Sequence, residues 1–202
     1  ERNHLMSRPH VVLLCPGQGA QAIGMGREWT NAHAASAQTF AAADEAIHFD
    51  DNTLLSEICF NGPEDRLNRT DVSQPALFTT AVASFQGLLE NWGGAEVVAA
   101  SGLSLGEYTA LHLAGAFSFN EGLHLVATRG RLMQAAAEAS DGSMVALIGA
   151  NEEQAQATCE AAREKDVLVC ANFNAPGQIV ISGSTAACER AVSVASETGL
   201  RA

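Results

Sequence analysis

A serine framed by two glycines, Gly102-Leu103-Ser104-Leu105-Gly106, stands where a short β-leaning run, Glu96-Val97-Val98-Ala99-Ala100, gives way to a helical pattern through Glu107, Tyr108, Ala110, Leu111 and Leu113. Strand, glycine-framed turn and helix in that order make a nucleophile elbow. The glycines allow a tight reversal and keep side chains clear of an approaching acyl group, which leaves the hydroxyl of Ser104 open to substrate. Five residues of this kind also fit an ordinary turn that caps a helix, and the flanking strand and helix favour the elbow. The amide of Leu105, at the start of the helix, then serves as one oxyanion donor. A second donor must come from elsewhere in the chain.

The remaining pattern supplies a scaffold for such a turn. Val11-Val12-Leu13-Leu14-Cys15 reads as a strand stopped by Pro16, followed by a glycine loop, Gly17 to Gln21, and an alanine-rich helix over Asn31 to Ile47. Short helical pieces at Leu54 to Ile58 and Glu64 to Leu67 precede an amphipathic helix that Gln74-Pro75 opens and Gly93-Gly94 closes. Helices up to Gly115 and over Glu121 to Ala139 follow the elbow, and this β-then-α order predicts a parallel sheet. From Met144 the order is strand, helix over Glu152 to Glu164, strands Val167 to Ala171 and Gln178 to Ser182, and a helix over Thr185 to Thr198. This is a ferredoxin-like β-α-β-β-α-β unit short of its last strand, which is expected beyond Ala202. Residues 1 to 5 read as upstream sequence ahead of Met6.

Composition narrows the function classes. The chain has 202 residues, 47% of them hydrophobic and 17% charged, enough for a substantial core. A formal net charge of -12, with ten arginines and one lysine, argues against sequence-independent binding to nucleic acid or anionic membranes. An anionic substrate must therefore meet a local arginine. Five scattered cysteines with no C-x-x-C pair, and histidines without metal-ligand spacing, suggest a reduced cytoplasmic setting with no metal and no redox cofactor. No apolar run reaches the length of a membrane span, and the first ten residues lack the pattern of a signal peptide.

Two phosphate-binding readings of the glycine loop fail. Gly17-Gln18-Gly19-Ala20-Gln21-Ala22 fits G-x-G-x-x-G/A after a strand, but no second strand ending in an acidic residue follows the first helix. Gly19 to Gly24 has P-loop glycine spacing, yet Met25 and Gly26 stand where lysine and a hydroxyl residue are required. A loop whose amides face a substrate oxygen remains open.

Five motifs in order, Pro16-Gly17-Gln18-Gly19-Ala20-Gln21, Gln74-Pro75-Ala76, Gly102 to Tyr108, Arg129-Gly130-Arg131-Leu132-Met133 and Asn172 to Gln178, resemble the malonyl-CoA:acyl carrier protein transacylases from about Val11 onward. The resemblance implies an α/β fold, with an α/β-hydrolase-like parallel-sheet core over residues 8–139 and an inserted ferredoxin-like subdomain over 140–202, both incomplete here. It implies malonyl transfer from malonyl-CoA to the phosphopantetheine thiol of acyl carrier protein in fatty acid biosynthesis, through a malonyl-serine on Ser104. The amides of Gln18 and Leu105 become the oxyanion hole, Arg129 the fork that grips the malonyl carboxylate, and Gln74 a further substrate-binding residue. CoA enters only as the leaving group.

Two departures stand out. Leu103 replaces a histidine usual in the family, which bears on activity or acyl selectivity. The family's general-base histidine is matched by none of His4, His10, His33, His48, His112 or His124, whose positions suit surface or core packing; it is expected beyond Ala202, so these 202 residues alone should be nearly inactive and expose apolar surface. An acyltransferase domain of a polyketide synthase shares the motifs, although Met6 just before the first strand favours a stand-alone enzyme. A serine esterase shares the elbow but has no use for Arg129, and a catalytically silent binding fragment is a third alternative.

Overall fold

A computed structural model of the chain describes residues 9–92 and 96–202. The readings of residues 1 to 8 and of the Gly93-Gly94 helix stop lie outside the described residues. The chain divides into two units, Glu1–Ala135 and Ala136–Ala202.

In the first unit, β1 (His10–Cys15) and β2 (Glu96–Gly102) pair in parallel, with Cys15 opposite Gly102. A parallel pair needs a crossover. Helices α1 (Arg27–Ala32), α2 (Ala34–Ala46), α3 (Leu55–Asn61), α4 (Glu64–Asn68) and α5 (Thr70–Asn91) supply it, and α6 (Leu105–Leu113) and α7 (Phe119–Glu138) follow β2. Phe40, Leu55, Ile58, Leu67, Phe78, Val82, Leu105, Leu123 and Val126 form the core. On β1, Val12 and Leu14 alternate onto one face and stay 55% and 80% exposed, whereas parallel strands are ordinarily covered on both faces.

The second unit is an antiparallel sheet in the order β3 (Gly142–Ile148), β5 (Gln178–Ser184), β4 (Leu168–Ala175), with α8 (Glu152–Arg163) and α9 (Thr185–Glu197). Leu147, Ala155, Cys159, Leu168, Ile181 and Ala191 build its own core. Asn151 starts α8 through a capping box with Gln154, which satisfies two otherwise orphaned amides. Ile148 exchanges backbone hydrogen bonds with Arg201, so the residues after α9 begin to pair along the edge of β3 away from β5.

Three expectations need correction. The alanine-rich stretch is two helices: His33 is extended (φ -134°, ψ 124°), and Glu90 holds the break by accepting from the Ala35 amide at 2.8 Å and pairing with His33 Nδ1 at 3.1 Å. These contacts also hold the Glu90 carboxyl below its usual range. Helix α5 starts at Thr70 rather than at Gln74-Pro75, because Gln134 of α7 caps the Thr70 amide at 2.9 Å and Arg69 O accepts from Ser73 at 2.8 Å. Nor is α5 amphipathic in its first half. Residues 72–79 are all buried, as befits a helix through the centre of a unit.

Candidate active site

The elbow forms where the sequence places it, and close packing explains both glycines. A Cβ on Gly102 would overlap the backbone of Gly106, and one on Gly106 would overlap Cys15 O at the end of β1. The first turn of α6 therefore lies directly on the ends of both strands. Between them Ser104 takes φ 55°, ψ -110°, a conformation an L residue adopts only when its surroundings impose it. Its side chain is exposed, and Leu105, the first residue of α6, is fully buried, so its amide starts a helix directly beside the hydroxyl. The nearby Cys15 thiol is pushed up by burial and so offers no competing thiolate.

Arg129 reaches this serine across 25 residues. Its Nη2 donates to Ser104 Oγ at 2.8 Å and its Nη1 to Gln74 Oε1 at 2.8 Å, while the guanidinium carbon lies 5.6 Å from the centre of the Tyr108 ring. Gln74 is completely buried and fixed at its other end by donating from Nε2 to Met133 Sδ at 3.2 Å. The helices can meet this closely because residue 130 is glycine. A Cβ there would stand 2.6 Å from Thr70 O and 3.1 Å from Asp71 Cα. The neighbour of Arg129 thus sets how near α7 comes to the start of α5.

The Gly17–Gln21 loop is tied to the same region. Gln18 Nε2 donates to Thr70 Oγ1 at 3.2 Å, and Gln21 Nε2 donates to Asn68 Oδ1 at 2.8 Å. A Cβ on Gly17 would approach Leu103 O at 3.1 Å, so the loop and the elbow are neighbours. An open groove of about 800 Å³ runs along α7, lined by Phe117, Leu125, Leu132 and Met133 with Arg129 among them. Leu103, beside Ser104, is 59% exposed.

All five residues singled out in the sequence, Ser104, Leu105, Gln18, Arg129 and Gln74, therefore lie in one unit, and direct hydrogen bonds join Ser104, Arg129 and Gln74. Tyr108, Met133, Gln21, Asn68, Thr70 and Gln134 prove to be its supports, and only the first three belong to a sequence motif. Helical spacing carried a signal for two of them: Tyr108 follows Ser104 by four residues and Met133 follows Arg129 by four. Among the described histidines three have other partners, while His124 lines the α7 groove together with Arg129 and His48 lines a second pocket that His124 also borders. His112 Nδ1 lies 3.0 Å from Phe117 O amid Phe78, Phe117 and Phe119, His10 pairs with Glu96, and His33 pairs with Glu90.

Residues 12–202 match the family model described as an acyl transferase domain. The chain is 37% identical over 189 residues to the malonyl CoA-acyl carrier protein transacylase of Haemophilus influenzae, covering 94% of this chain and 59% of that protein. Among solved structures, the malonyl CoA-acyl carrier protein transacylase of Clostridium perfringens superposes with a TM-score of 0.81 at 39% identity, over 96% of this chain and 59% of that one. A structure described as a type II PKS acyl-carrier protein in complex with its malonyl-transacylase matches with a TM-score of 0.82 at 35% identity, over 95% and 60%. This chain spans about three fifths of the length of such relatives. A match that takes in the glycine loop, the elbow and the arginine within one continuous stretch settles their common origin: the chain belongs to the acyl transferase domain family.

Proposed function

We propose that the protein transfers a malonyl group from malonyl-CoA to the phosphopantetheine thiol of acyl carrier protein, through a malonyl ester of Ser104, in fatty acid biosynthesis. The contact that carries this reading is Arg129 Nη2 to Ser104 Oγ at 2.8 Å, with the other arm of the fork held by Gln74. A guanidinium so near the nucleophile suits an acyl group whose free carboxylate lies one methylene from the reacting carbonyl. It has no purpose for an uncharged ester, which disfavours an esterase.

In this reading Ser104 Oγ attacks the thioester carbonyl, and the amides of Leu105 and Gln18 receive the charge that develops on its oxygen. Losing one such donor costs roughly 10²- to 10³-fold in rate. Collapse of the tetrahedral centre breaks the C–S bond and releases CoA, and the carrier-protein thiol reverses the sequence. The base that takes the serine proton is assigned to none of these 202 residues. Residues 8–139 form the hydrolase-like part and 140–202 the small ferredoxin-like part. The latter division is supported by the sheet order and by the pairing of Arg201 with Ile148. A cytoplasmic location accords with five free cysteines and with the absence, among the described residues, of a helix long and apolar enough to cross a membrane.

Intact-protein mass spectrometry after mixing with malonyl-CoA tests the proposal. A malonyl increment that is absent in Ser104→Ala and passes to added carrier protein is expected from a chain of the relatives' full length, with little or none from these 202 residues alone. Free malonate released at the same rate with or without carrier protein would identify a hydrolase instead.

A further inference from the structure

We propose that Gln21 is a positioning residue that decides which amide of the Gly17–Gln21 loop is offered to the substrate oxygen. The inference rests on reading that loop as half of the oxyanion hole. Ala20 N donates to Gly17 O at 3.3 Å, closing a four-residue turn with Gln18 and Gly19 at its corners. Gly19 has φ 103° and Gln18 does not have positive φ, the pattern of a type II turn.

Such a turn uses the amide of its last residue and leaves both corner amides, of Gln18 and Gly19, without a partner of its own. Gln21 removes one of them from contention. Its Oε1 accepts from Gly19 N at 2.8 Å, while its Nε2 donates to Asn68 Oδ1 at 2.8 Å, so the side chain is clamped at both ends. Among the described residues the Gln18 amide has no hydrogen-bond acceptor, and its own side chain is held by Thr70. One glutamine therefore caps the wrong donor and ties the loop, through Asn68, to the segment that leads by Thr70 to Gln74 and so to Arg129. The oxyanion donor and the carboxylate fork are thereby registered on one stretch of backbone.

Three variants test this. Gln21→Met keeps length and loses both hydrogen bonds. Asn68→Ala loses only the anchor. Gln21→Glu still accepts from Gly19, and Asn68 can present its Nδ2 to the new carboxylate by turning its amide. Two readouts are taken on the intact protein: exchange of the Gly19 amide by NMR, and the rate of malonyl-serine formation against malonyl-CoA concentration.

Gln21→Met is expected to raise Gly19 exchange at least about tenfold and to lower the maximal acylation rate about tenfold or more, leaving the half-saturating malonyl-CoA within about twofold. Asn68→Ala should fall between, and Gln21→Glu should restore most of both. Unchanged Gly19 exchange in Gln21→Met would overturn the inference, as would a rate loss shared equally by Gln21→Glu. A wild-type protein that forms no malonyl-serine, yet shows the exchange pattern, would instead refute the assigned reaction and leave the clamp standing.

Discussion

At the scale of single residues, the site turns on what a planar fork can do that a point charge cannot. Arg129 divides its two terminal nitrogens between the buried Gln74 and Ser104, so one arm is anchored while the other meets the exposed serine hydroxyl. A lysine in its place would have to choose one partner. Arg129→Ala is expected to slow acylation by malonyl-CoA by about 10²-fold, the worth of one charge-assisted hydrogen bond to the malonyl carboxylate, and to change acylation by acetyl-CoA by only a few-fold. Arg129→Lys should fall between the two. Parallel mass measurements with the two thioesters decide the matter, and an equal loss for both would exclude a carboxylate-binding role. The strained Ser104 backbone belongs to the same scale: φ 55° is tolerated because Gly102 and Gly106 let the helix press on the strand ends.

Secondary-structure elements bring these residues together, and here the glycine at position 130 decides more than its size suggests. Its missing Cβ lets α7 close onto Thr70 O and Asp71 Cα. Gly130→Ala is expected to cost roughly 1–3 kcal/mol by overpacking in thermal melts and also to lower the acylation rate, because the displaced helix carries Arg129 with it. Asn151→Ala, which removes the capping box of α8 in the other unit, should cost about 1 kcal/mol and leave acylation untouched. If both variants lost stability and activity in the same ratio, the rate effect would be one of folding alone. The contrast also marks what was legible in the sequence. The elbow could be read because strand, glycines and helix are contiguous, and their local sterics suffice to define it. The start of α5 could not, since Pro75 imitates a first-turn proline while the actual start depends on a cap from Gln134, 64 residues away. The break at His33 was hidden for the same reason, its cause being Glu90 on another helix. Likewise the meeting of Gln74 with Arg129 is a consequence of helix packing, and spacing of 55 residues carries no trace of it.

For the molecule as a whole, two units with separate cores imply that a single unfolding free energy does not describe it. The chain provides a way to see this, because both tryptophans, Trp29 and Trp92, and its one tyrosine, Tyr108, belong to the first unit. Aromatic fluorescence follows that unit, while far-ultraviolet circular dichroism follows both. Acid separates them further. The carboxyls of Asp51, Glu90 and Glu121 are held below their usual range, by the Arg66 fork and Thr53, by the Ala35 amide and His33, and by Ser118 respectively. All three lie in the first unit. A carboxyl whose folded value is depressed contributes stability that is fully present above the ordinary carboxylate range and is lost as pH falls toward the depressed value. Lowering the pH from 7 through 4 toward 3 should therefore bring the fluorescence-detected transition down and pull it away from the slower-moving part of the dichroism curve. Because these groups face solvent, the separation should shrink in 0.5 M salt, where the screening length falls to roughly 4 Å. Coincident transitions by both probes at every pH, with calorimetric and van't Hoff enthalpies equal, would mean that the two cores unfold as one.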